Sequence, residues 1–224
     1  AEKDVFNMLH WIVFASCDPY SQVSQEANTF ITTVFPKDKW EEIMKRLTEK
    51  IIKILEEILV SGESTLLIPS KLMNNDEDDC KEDRMNRLSE QSYGVLVTII
   101  KGEKKEEAQN ILRHKLWNIK KKRMTRGLLN AVYNCIDPVS ILSSCSLFDR
   151  LLSVFSSSDQ SSLLPLSSDL LLLYFTSTTI ILNDNQKKKV ENTLISFLKK
   201  CGVCEWDCIG VRLLPLFITL WHDG

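Results

Sequence analysis

The sequence predicts an all-α fold, an irregular stack of about nine or ten helices arranged largely as pairs. Three observations predict it. Apolar residues recur at helical spacing through nearly the whole chain. The 224 residues include only 7 glycines and 6 prolines, too little turn chemistry for a β-sandwich or barrel of this length. The dipeptide Asp-Pro joins apolar runs twice, at Asp18-Pro19 and Asp137-Pro138. Proline breaks a helix interior but suits the first turn of the next helix, and the aspartate can cap that turn.

The first helix contains Val5, Phe6, Met8 and the run Leu9 to Ala15, and Asp18-Pro19 ends it. In the second, Val23, Ala27, Phe30, Ile31 and Val34 fall on one face, and Pro36 stops it. Such a hairpin cannot bury itself and should stack on others. A third helix begins near Asp38 and carries Trp40, Ile43, Leu47, Ile51, Ile54 and Ile58 on its inner face, with charged residues outside and Gly62 as its expected cap. Residues 63–83 hold Pro69, Asn74-Asn75 and the acidic run Asp76 to Asp79, and read as a flexible acidic loop.

Helical text resumes with Met85, Leu88, Val95 and Ile99 and stops at Gly102. A short helix from Lys105 to Leu116 buries Ala108, Ile111, Leu112 and Leu116. A basic connector, Lys120 to Arg123, leads to a helix over 124–136. After the second Asp-Pro joint, 139–155 reads as one helix and 156–162 as a serine-rich loop. Leu170 to Leu182 is strongly apolar but too short for a bilayer span, so it reads as a buried helix. Asn183-Asp184-Asn185 turns the chain into an amphipathic helix through Val190, Leu194, Phe197 and Leu198, capped at Gly202. The last helix, Trp206 to Trp221, carries Pro215, which should kink it or shift its start. Trp11, Phe30, Ile43, Leu47 and Val132 are expected in the core, as are Trp40 and Trp206. No regular period is visible, and the alternation suits a HEAT/armadillo-like helical-repeat solenoid, read as a single domain over 1–224 within a longer chain.

Composition narrows the function classes. Apolar residues make up 44 %, enough for a sizeable core, and the formal net charge of −2 gives no bulk pull on nucleic acid. No signal peptide or membrane segment is expected. Seven cysteines, several inside apolar runs, suit buried thiols in a reducing compartment, so the cytosol is the expected location. Histidine occurs only at positions 10, 114 and 222, and no nucleophile–base pair or phosphate-cradling glycine loop is suggested by spacing. No catalytic residue, cofactor or metal is therefore assigned. The sharpest pattern against that reading is Cys201, Cys204 and Cys208, which can hold a metal only with a fourth ligand; His222 is the nearest histidine, and idle thiols are the preferred reading.

The remaining candidate is a basic cluster: Arg113, Lys115, Lys120, Lys121, Lys122, Arg123 and Arg126, with His114 and Trp117 among them. Lysine and arginine on a connector can reach phosphates, and the bland alternative is a solvated edge. Lys187-Lys188-Lys189, at a helix start, reads as an ordinary solvent face.

Two patches resemble a known family. Trp11 to Tyr20, followed by Ala27, Phe30 and Phe35-Pro36, and then Lys115-Leu116-Trp117, the basic connector and Thr125 to Leu129, are similar to the N-terminal region of the listerin family of RING-type E3 ubiquitin ligases. The resemblance covers roughly residues 5–136. It implies a HEAT-like domain of a cytosolic ligase of ribosome-associated quality control. It also implies a non-catalytic interaction module, with the RING elsewhere in the ligase. The implied partners are the stalled large (60S) ribosomal subunit, through rRNA or ribosomal protein, and a nascent-chain quality-control cofactor protein. A monomer is expected, with no membrane and no small-molecule substrate. The alternative is a generic helical-repeat scaffold from another pathway, or a thiol or metal-binding domain.

Overall fold

The computed structural model describes residues 2–61, 78–118, 124–135, 137–144, 147–177 and 183–222. Among them there are eleven α-helices and no strand. The chain divides into two compact units, Ala1–Lys122 and Arg123–Gly224.

The first unit holds α1 (Glu2–Ser16), α2 (Ser21–Val34), α3 (Lys37–Glu56), α4 (Asp78–Ile100) and α5 (Lys105–Asn118). A π-helical turn, Glu57–Ser61, extends α3. The expected faces of α3 and α5 are the real ones: Leu47, Ile51, Ile54 and Ile58 are buried, as are Ala108, Ile111, Leu112 and Leu116. α1 packs on α2 and α4, and α4 on α5. Gly102 ends α4 as expected, its N–H donating to the Ile99 carbonyl at 2.9 Å. α4 opens at Asp78, within the stretch expected as loop, while Gly62 lies outside the described residues.

The second unit holds α6 (Arg126–Tyr133), α7 (Pro138–Ser144), α8 (Leu147–Val154), α9 (Leu164–Thr176), α10 (Asp184–Lys200) and α11 (Val203–His222). α9 is its centre, touching α6, α7, α8 and α11. It is apolar because it is surrounded, as expected for a helix with no wet stripe. The single helix expected over 139–155 is two, α7 and α8. The serine-rich stretch is not an open loop but a 3-10 turn, Ser158–Leu163, leading into α9. The capping box predicted by no motif count but present at Asn183 pairs its side chain with the Gln186 N–H at 2.9 Å, while the Gln186 amide oxygen accepts from the Asn183 N–H at 3.1 Å.

Three expected core aromatics are exposed. Phe30 is 45 % exposed, Trp11 38 % and Trp206 44 %. α2 turns Ala27 and Ile31 inward against α1, which leaves Phe30 on its flank, edge-on to Phe35 at 6.3 Å. Trp206 lies along its own helix: a Cβ at Gly210 would come within 2.8 Å of the indole, so only glycine leaves it that seat. Ile43 and Trp40 are half-buried, and Leu47 and Val132 fully buried. Pro215 lies inside α11, which starts at Val203 rather than Trp206. Proline cannot bond the Val211 carbonyl one turn back, but both residues are exposed, so water can take that oxygen.

Candidate contact surfaces

The expected basic cluster is spread over both units. Arg113 is exposed on α5 and donates to the Asn110 side-chain oxygen at 3.4 Å. Lys115, two residues on, is half-buried. Arg126 is the exposed first residue of α6, whose cap is the Thr125 hydroxyl accepting from the Leu128 N–H at 3.3 Å. Lys120, Lys121, Lys122 and Arg123 lie outside the described residues.

The most elaborate polar geometry lies elsewhere, at the first Asp-Pro joint. Asp18 does not cap α2, whose N-cap is Tyr20 without a side-chain bond. Its Oδ1 accepts the Tyr20 N–H at 2.9 Å, and its Oδ2 accepts from Arg87 Nε at 2.9 Å, from Arg87 Nη2 at 2.7 Å and from Gln91 Nε2. Arg87 and Gln91 are four residues apart on α4 and so share a face. The guanidinium carbon sits 4.6 Å from the centre of the Tyr20 ring, a cation–π contact. Burial pushes the Asp18 carboxyl up, but the Arg87, Tyr20 and Gln91 hydrogen bonds and the Arg87 charge outweigh it and hold the carboxyl below its ordinary range. Next to it, a Cβ on Gly94 would stand 2.7 Å from the Cys17 Cβ, so α1 and α4 approach as only glycine allows. Sequence reading missed Arg87, Gln91 and Gly94, because nothing local marks a partner seventy residues away. This joint is structural: every acceptor position named is filled by the protein itself.

Two of the described thiols, Cys17 and Cys135, are held within the packing. Burial pushes the Cys17 thiol up, against its hydrogen bonds with Ser16 and Thr98, and the Cys135 thiol donates to the Ala131 carbonyl at 3.2 Å. Among the described residues no group of three His, Cys, Asp or Glu side chains is placed to hold a metal. Cys201 is half-buried; the side chains of Cys204 and Cys208 lie outside the described set.

Two surfaces stand out on the second unit. α11 is apolar on both sides: Ile209, Leu213, Leu216 and Phe217 are buried, while Val211 at 84 % and Leu214, Ile218 and Trp221 at 56 % form an outward stripe. α10 presents a polar and basic outer face, with a groove of about 520 Å³ beside it.

The whole architecture can be set against known proteins. The sequence matches the family model of the E3 ubiquitin-protein ligase listerin, N-terminal domain, over residues 7–218. The chain belongs to that family. No curated protein and no solved structure gives a match. The listerin match runs across both units and includes α6 to α10 and most of α11, well beyond the part in which the sequence resemblance is carried by recognisable motifs. Both Asp-Pro joints and the α10 face therefore belong to the listerin N-terminal domain. Among its described helices none is long and apolar enough to cross a membrane.

Proposed function

We propose that this chain is a non-catalytic docking module of a listerin-type E3 ubiquitin ligase, which helps hold the ligase on stalled 60S ribosomal subunits and their nascent-chain quality-control cofactor in the cytosol. The observation that carries the reading is the family match over nearly the whole chain. An all-helical stack with wide exposed faces supports it, since such folds bind through extended surfaces. The contact is assigned to the basic cluster, of which Arg113 and Arg126 are exposed.

The test is co-sedimentation with purified large subunits across a salt series. The parent should bind, with affinity falling as salt rises, because phosphate contacts release counterions. Reversing Arg113, Lys120, Lys121, Lys122, Arg123 and Arg126 to glutamate should weaken binding and flatten its salt dependence. A variant that sediments like the parent removes the cluster from the contact, and a parent that fails to sediment at any salt overturns the docking reading.

A further inference from the structure

Lys187 to Lys189 read in the sequence as an ordinary solvent face, but the structure gives α10 a definite geometry. Val190, Leu194 and Phe197 are buried and mark its inner side. At about 100° per residue, Lys188, Lys189, Lys199 and Lys200 all point within about 60° of one common direction, which lies about 30° round the helix from the direct opposite of that inner side. All four are exposed. Asn185, Asn192 and Ser196 lie between them on that side and are exposed too, and Ser156, beyond α8, forms the far wall of the groove.

The carboxylates of α10 are kept off this face. Asp184 and Glu191 lie about 100–120° away around the helix, and Glu191 accepts from the Trp221 indole N–H at 3.4 Å. Lys189 is neutralised by Asp149 at 2.8 Å. Among the described residues none pairs with Lys188, Lys199 or Lys200. The face thus offers three uncompensated cations along roughly 18 Å of rigid helix, separated by side chains that can donate hydrogen bonds, in a chain whose net charge is −2. Lysine, asparagine and serine are the side chains that contact phosphate and sugar. The face carries no aromatic residue, so it has no platform on which unpaired bases could stack. Backbone contact without stacking is how double-helical RNA is held.

We infer that the outer face of α10, with Lys188, Lys199 and Lys200 as its cations, binds the phosphate backbone of double-helical RNA. This deepens the docking reading and rests on it for rRNA as the source of the duplex; the surface itself is tested without ribosomes. The probe is a fluorescein-labelled blunt RNA duplex of mixed sequence, titrated with the full chain across a salt series and followed by anisotropy. The parent should bind with a steep salt dependence. K188E/K199E/K200E should lose about tenfold or more at low salt, and its log–log salt slope should fall by about two to three, close to one per phosphate contact. K188R/K199R/K200R should bind like the parent, which separates lost charge from lost folding. K37E/K39E/K53E changes net charge equally on α3, where all three lysines are exposed, and should keep most of the binding.

Equal losses in the α3 and α10 variants would overturn the inference in favour of bulk charge. So would a parent that ignores the duplex, an α10 variant that binds like the parent, or a polyglutamate peptide that binds more tightly than RNA, which would make the partner an acidic protein segment. Co-sedimentation with 60S subunits keeps the two readings apart. Loss of duplex binding by the α10 variant, with no parent binding to subunits, upholds the RNA surface and refutes docking. Unchanged duplex binding by that variant, with salt-dependent binding of the parent to subunits, does the reverse.

Discussion

Asp18-Pro19 and Asp137-Pro138 are the same dipeptide at the same kind of joint, yet they do different work. At the second, Asp137 is exposed and its Oδ1 accepts the Ser140 N–H at 2.9 Å, capping α7 with Pro138 as the first helical residue. That is the local chemistry the sequence implies. At the first, the Asp18 side chain is fully buried, α2 begins at Ser21 beyond its capping reach, and the carboxylate goes to Arg87 and Gln91 instead. The difference teaches that a capping motif sets a turn, whereas a helix arriving from elsewhere decides whether the turn becomes a tertiary anchor.

The comparison breaks most visibly at Arg87. Arg87→Ala leaves the fully buried Asp18 carboxylate without its cation and should cost about 3 kcal/mol in chemical denaturation, the low end for a broken buried pair because Arg87 itself is 42 % exposed. A loss under about 1 kcal/mol would mean that Gln91 and the Tyr20 N–H suffice. The same joint should show in acid. Because the folded Asp18 carboxyl is held below its ordinary value of 3.8, its contribution is complete above that value and is lost as pH falls through the lower folded value. Asp18→Asn should therefore flatten stability against pH in that acid window, and an unchanged acid limb would show that Asp18 does not carry it.

Gly94→Ala should come next, at about 1–3 kcal/mol, because its Cβ would meet Cys17 at 2.7 Å. Pairing it with Cys17→Gly, which removes that Cβ, should cost less than the sum of the two single changes. Asp137→Ala tests the purely local joint: about 1 kcal/mol, recovered by Asp137→Ser, in thermal or chemical unfolding. A loss as large as that at Arg87 would show that the two joints are not different in kind. Tyr20→Leu, which removes the cation–π partner of Arg87 but keeps the backbone N–H, should be the smallest, at about 0.5 kcal/mol. A double-mutant cycle with Arg87 would separate it from lost packing.

Legibility followed the range of the interaction. The inner stripes of α3, α5 and α10 could be read directly, because 3.6-residue periodicity records which side of a helix is dry. Phe30, Trp11 and Trp206 could not, since whether an aromatic at the edge of a stripe is covered depends on where the neighbouring helix stops. The basic cluster near the connector is visible as a run of charge, but the α10 face is not: Lys188 is well separated in the text from the pair Lys199 and Lys200, and they share a side only because the helix turns them there. α11 reads as largely apolar, and only its packing on α9 separates a buried side from the exposed Val211 stripe.

By itself, then, the sequence determined the helical class, the principal inner faces, the Asp137 cap and membership of the listerin family, because each is carried by residue spacing or by motifs within a few turns. Only the tertiary structure decided the fate of Asp18, the glycine contact at Cys17, the exposure of the aromatic flanks and the clean cationic face of α10. Those depend on which helices approach and which charges they bring, and loop closure across tens of residues leaves no periodic mark in the chain.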